Sequence, residues 1–138
     1  MTIRVAVVDD EPLAIERMRR LLAAEPDIQV VAECGNGAEA VAAIRSHAPD
    51  LVFLDVQMPG LDGFGVVEQV GPEAMPATIF ATAFDEHALQ AFDASALDYL
   101  LKPFDPDRFA RALDRARLFL RQQDRAELEA KLTSMLGG

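Results

Sequence analysis

Five short apolar runs, each followed by a stretch with helical spacing, constrain this chain more than any other feature. Ile3–Val8, Ile28–Cys34, Leu51–Leu54, Ala77–Thr82 and Leu97–Leu101 read as strands. Pro12–Ala24, Ala38–His47, Phe64–Val70 and Glu86–Ala94 read as helices, and a long helical pattern runs from Pro106 to Leu136. Pro12 suits a first helical position, and Pro49 stops the helix before it. None of the connections carries a hairpin signal, so the strands are expected to run parallel with helices on both faces. Right-handed crossovers then make a doubly wound open sheet the economical α/β architecture.

Composition narrows the classes further. A chain of 138 residues, 51% hydrophobic and 26% charged, fits one globular domain. No apolar run approaches the roughly 18 residues of a spanning helix, and Met1-Thr2-Ile3-Arg4 leads straight into the first run, so no signal peptide is expected. The lone Cys34 excludes an intrachain disulfide and suits the cytoplasm. The net charge of −10 is uneven: residues 1–106 carry 6 basic and 18 acidic side chains, whereas residues 107–138 carry 7 and 5. A body this acidic does not grip nucleic acid by itself, because phosphate binding needs a basic face.

Open parallel sheets place their sites beyond the carboxyl ends of the strands. There the sequence has Asp9-Asp10-Glu11 after the first strand, Asp55 after the third, Thr82 at the end of the fourth and Lys102-Pro103 after the fifth. Each has an ordinary reading alone: acidic residues favour helix starts, Asp55 could cap, and most lysines are solvated. Together they crowd carboxylates, a hydroxyl and an ammonium onto one edge. Crowded carboxylates suit a hard divalent cation, and Mg²⁺, which takes one or two carboxylates and keeps several waters, fits best. An ionised Asp beside it can attack phosphorus to form an aspartyl phosphate, while Lys102 and Thr82 hold the equatorial oxygens. His47 and His87 have no ligand spacing, and Gly35-Asn36-Gly37 lacks the spacing of a phosphate-binding loop.

The motifs Val7-Val8-Asp9-Asp10-Glu11, Leu54-Asp55-Val56-Gln57-Met58-Pro59, Thr82-Ala83 and Lys102-Pro103, in that order, resemble the receiver domains of bacterial two-component response regulators over roughly residues 3–120. Residues 81–92 and Ala96-Leu97-Asp98-Tyr99-Leu100-Leu101-Lys102-Pro103-Phe104 resemble the LytTR-type (LytR/AlgR-like) subfamily. The resemblance implies a flavodoxin-like sheet of order 2-1-3-4-5 with five helices, the last one extended. It implies a receiver domain over residues 1–120, a helical extension or linker over 121–138, and a DNA-binding output domain outside this chain. Asp55 would be the phosphoacceptor. Mg²⁺ would be held by Asp10, Asp55, the Gln57 backbone carbonyl and, through water, Asp9. Thr82 and Lys102 would contact the phosphoryl group, the Lys102–Pro103 peptide would be cis, and Thr82 with Tyr99 would form the switch.

The implied partners are a sensor histidine kinase and, on phosphorylation, a second copy docked through a face carrying Asp93, Asp98, Arg108, Arg111 and Arg115. DNA would be reached only through the output domain, and no membrane is involved. The expected chemistry is self-phosphorylation and autodephosphorylation, not enzymatic turnover. Phe84, two residues past Thr82, offers an apolar wall that predicts slow dephosphorylation. Two rivals stand beside this reading. A haloacid-dehalogenase-type phosphatase wants an Asp two residues after the nucleophile, where this chain has Gln57. A receiver-like interaction module without phosphorylation would lack one of Asp10, Asp55, Thr82 or Lys102.

Overall fold

The computed structural model describes residues 2–83 and 96–137. It contains β1 (Ile3–Val8), α1 (Pro12–Ala23), β2 (Ile28–Cys34), α2 (Gly37–His47), β3 (Leu51–Leu54), α3 (Gly63–Val70), β4 (Ala77–Thr82), β5 (Asp98–Leu101) and α4 (Pro106–Leu136). These are four helices among the described residues; the helix expected over Glu86–Ala94 lies outside them, as do Phe84, His87 and Asp93. The five strands form one sheet in the order β2-β1-β3-β4-β5, and every neighbouring pair is parallel.

Strand alternation divides the interior into two cores. On one face Val5, Val7, Leu51, Phe53, Ile79 and Leu100 pack with Met18 and Leu22 of α1 and with Phe109, Leu113 and Ala116 of α4. On the other, Ala6, Val8, Val52, Leu54 and Phe80 pack with Val41 and Ile44 of α2 and Val66 and Val67 of α3. Burial of both sheet faces explains why β3 reads as an uninterrupted apolar run.

Helix ends follow the local chemistry. The Asn36 side chain accepts from the Glu39 amide at 2.8 Å, so α2 begins at Gly37, one residue before the sequence pattern suggests. Asp62 caps α3 through the Gly65 amide, and Asp105 caps α4 through Arg108 with Pro106 in the first turn. The first half of α4 docks through Phe109, Ala112, Leu113, Ala116 and Leu120; residues 121–137 are exposed throughout. Arg117 fastens this helix to the far end of the sheet by donating to both Asp27 oxygens, at 2.8 and 2.9 Å.

A second tie joins α4 to β5. Asp98 is buried, and Arg108 donates to both of its carboxylate oxygens, at 2.8 and 3.1 Å, and to the Tyr99 carbonyl at 2.7 Å. Burial pushes the Asp98 carboxyl up, but the Arg108 hydrogen bonds, the Tyr99 amide and the Arg108 and Arg115 charges outweigh it and hold it below the ordinary value. A carboxyl depressed on folding contributes stability that is present above its unfolded pKa of about 3.9 and lost as pH falls through the folded value. Asp98→Asn should therefore cost about 1–3 kcal/mol at pH 7 in a urea titration. The gap from the parent chain should close as the titration is repeated toward pH 3.

Candidate functional site

The carboxyl ends of β1, β3, β4 and β5 bring the polar residues together because a parallel sheet ends all its strands on the same side. Asp9 follows β1, with its amide donating to the Cys34 carbonyl at 3.0 Å; Asp55 follows β3, with its amide donating to the Val8 carbonyl at 3.0 Å. Asp9, Asp10 and Asp55 each offer a carboxylate oxygen, and the three oxygens lie within 4.8 Å of one another. Asp9 and Asp55 are buried, while Asp10 stands more open.

Backbone amides fix both buried carboxylates. Glu11 N–H donates to Asp9 Oδ1 at 2.9 Å, and Gln57 N–H donates to Asp55 Oδ1 at 3.1 Å. Lys102 reaches in from the end of β5, with Nζ 2.5 Å from Asp9 Oδ2 and 3.6 Å from Asp55 Oδ2. Its amide donates to the Thr82 carbonyl at 2.8 Å, which couples the ends of β4 and β5. Thr82 is fully buried at the end of β4, and its side chain favours the ionised form of the Asp55 carboxyl. The Lys102–Pro103 peptide is cis.

The electrostatics follow from crowding. Burial lifts the Asp55 carboxyl most; the Lys102 charge opposes it, the Asp9 charge adds to it, and the Gln57 amide and Thr82 pull it back down. The net direction is upward. Burial lowers the Lys102 ammonium, but the hydrogen bond to Asp9 and the charges of Asp55, Asp9 and Glu11 prevail and raise it. Lys102 is therefore a fixed cation facing two buried carboxylates. The other donors are all hard oxygens, and two buried carboxylates with a third at their rim exceed what one ammonium neutralises. This donor set fits a small divalent cation.

Tyr99, on β5, is half-buried against the core shared with α2 and α3. Its ring sits 5.9 Å from the Arg108 guanidinium. Of the five residues assigned to an output face, Asp98 and Arg108 are joined to each other within the chain. Arg115 lies 3.5 Å from Asp98 with most of its side chain in solvent, Arg111 is exposed, and Asp93 lies outside the described residues.

Sequence reasoning missed two features of the neighbourhood. Arg17 of α1 covers the ring of Phe104 at 4.5 Å and donates to its carbonyl, walling the edge beyond Pro103. Gly63, at the start of α3, lies directly against the backbone of Asp55. Neither has a sequence signal, since both depend on contacts between elements distant in the chain.

Comparison with known proteins agrees with this geometry. Residues 5–114 match the response regulator receiver domain family. The transcriptional regulatory protein BtsR of Salmonella typhi is 47% identical over 122 residues, which cover 88% of this chain and 51% of that protein. An uncharacterized response regulatory protein of Yersinia pestis is 49% identical over 113 residues, 82% of this chain and 48% of that protein. The chain thus spans about half the length of these curated relatives. Among solved structures, the receiver domain of AraT, a response regulator from Geobacillus stearothermophilus, aligns with a TM-score of 0.79 and 31% identity, covering 90% of this chain and 99% of that one. Carboxylates, a lysine and a buried threonine at the ends of a five-stranded parallel sheet, together with this match over most of its length, place the chain in the response regulator receiver domain family.

Proposed function

We propose that this domain is a phosphorylation-dependent signalling element in which Asp55 accepts a phosphoryl group from a sensor histidine kinase. The observation that carries the reading is the placement of Asp55. It is buried at a strand end, with one oxygen held by the Gln57 amide and the other facing the Lys102 ammonium. An Asp55 oxygen attacks phosphorus in line with the phosphohistidine nitrogen; the P–N bond breaks and its electron pair leaves with the imidazole. Lys102, which faces Asp55, would meet one transferred oxygen, and Thr82, buried at the end of β4, would hold another. Asp10, Asp55, the Gln57 carbonyl and, through water, Asp9 would hold Mg²⁺. That ion, when bound, neutralises charge on the transferring oxygens.

Two rivals are disfavoured by the same residues. A haloacid-dehalogenase-type phosphatase needs an acid at the position of Gln57, and a module that had abandoned phosphorylation would not keep Asp10, Asp55, Thr82 and Lys102 together. Incubation with Mg²⁺ and acetyl phosphate should add one phosphoryl mass that is lost in Asp55→Asn. An unmodified parent chain in its folded form would overturn the assignment. Mg²⁺ should also raise the thermal midpoint of the parent chain by mass action, and Asp10→Ala should abolish most of that shift.

The finer assignments are part of the proposal. Residues 1–120 form the receiver, and 121–138 form a helical extension toward a DNA-binding output domain, since the docked part of α4 ends at Leu120. The LytTR-type motifs and the BtsR relatives, named as transcriptional regulatory proteins, support transcriptional control, and the proposal places it in the cytoplasm. No helix among the described residues is long and apolar enough to cross a membrane. Phosphorylation would reposition Thr82 and Tyr99 and promote homodimers through the face that includes Arg111 and Arg115, because Arg108 and Asp98 are already paired within the chain. Charge reversal at both positions, Arg111→Glu with Arg115→Glu, should shift the phosphorylated protein toward monomer in sedimentation velocity. It should leave phosphorylation itself intact.

A further inference from the structure

The loop from Asp55 to Asp62 leaves β3 and returns at once. The Gly63 amide closes it by donating to the Val56 carbonyl at 3.0 Å. A Cβ placed on Gly63 would stand 2.4 Å from the Asp55 carbonyl oxygen, 2.9 Å from Val56 Cα and 3.1 Å from the Asp55 carbonyl carbon. All three are backbone atoms, so none can rotate out of the way as a side chain could. Positive φ is confined to Ala48, Gly60 and Gly71 among the described residues, so Gly63 is needed for close approach and not for its conformation.

The consequence reaches the Asp55 carboxylate. Its Oδ1 is held by the Gln57 amide, which belongs to the same loop, and its own amide is tied to Val8 of β1. The Asp55–Val56 peptide thus lies between a backbone bond to the sheet, at the Asp55 amide, and one to the start of α3, at the Val56 carbonyl. Displacing α3 by a methyl group moves the second of these bonds. Gly37 behaves differently: a Cβ there would meet the Leu61 carbonyl oxygen at 2.3 Å and Leu61 Cβ at 2.8 Å, at the far end of the loop.

We propose that Gly63 is a positioning residue for phosphoryl acceptance: by letting α3 close directly on the Asp55–Val56 peptide, it sets where the Asp55 carboxylate stands relative to Lys102 and Thr82. The proposal rests on the reading of Asp55 as the phosphoacceptor. Gly63 touches no reacting atom and acts only through the backbone.

Relieving the shortest contact to 3.0 Å requires a movement of about 0.6 Å, and misplacements approaching 1 Å cost rates on the order of 100-fold. The test measures acetyl phosphate uptake in Mg²⁺ by mass, normalised to the folded fraction from circular dichroism melts. Gly63→Ala should lose about tenfold or more in rate per folded molecule. Gly35→Ala, with nothing within 4 Å of its Cβ, should match the parent chain in rate and melting midpoint. Gly37→Ala should lower the midpoint while leaving the rate per folded molecule near that of the parent.

A merely structural glycine would lower the melting midpoint of Gly63→Ala and leave its normalised rate unchanged, and that result overturns the proposal. Should Gly63→Ala fail to fold, Asp62→Ala loosens the same helix start by removing its cap and should slow uptake about threefold. An unaltered rate in that variant is equally fatal. If the parent chain itself takes up no phosphoryl group, the reading of Asp55 fails first; phosphorylation of the parent with unchanged Gly63→Ala kinetics removes only the positioning role.

Discussion

Two carboxylates buried within a few ångströms of each other repel, and the arrangement at this sheet edge depends on the ammonium that lies against both. Unit charges 4 Å apart interact by about 4 kcal/mol at an effective dielectric near 20. Lys102 meets Asp9 at 2.5 Å and Asp55 at 3.6 Å, so two attractions of that order stand against one repulsion. The remaining anchors are short-range: the Glu11 and Gln57 amides and the cross-strand bond from the Lys102 amide to the Thr82 carbonyl. Each comes from a different strand end. The edge therefore exists only when the sheet order is complete.

That dependence explains which parts of the molecule could be read from the sequence. A parallel strand covered on both faces is an unbroken apolar run, and Leu51–Leu54 announces itself as one. Asp9, Asp55, Thr82 and Lys102 could be named because strand ends are read directly once the runs are found. Distances were another matter. Lys102 lies 93 residues from Asp9, and no local pattern says that its ammonium rests nearer to Asp9 than to Asp55.

Charge pairing across elements was similarly hidden. Asp98 and Arg108 look like two surface charges available to a partner, because nothing in their spacing reveals that α4 folds back over β5. In the fold Asp98 is buried and Arg108 closes on it from two sides of the guanidinium. Gly63 carries no sequence signal beyond standing just before the helix expected from Phe64. Its role comes from how near α3 approaches the Asp55 backbone, a property of packing and not of propensity.

The length of α4 has a mechanical corollary. The helix has 31 residues, of which those beyond Leu120 are exposed. At 1.5 Å per residue the exposed part extends about 24 Å from its last buried contact. It acts as a pointer: a tilt of about 10° at the docked end sweeps the tip by about 4 Å, several times the movement at the base. Arg108 ties the helix to β5 near its start, and Arg117 ties it to Asp27, between α1 and β2, shortly before the last buried contact. Small rearrangements at either tie are thus geometrically amplified before anything attached to the far end experiences them.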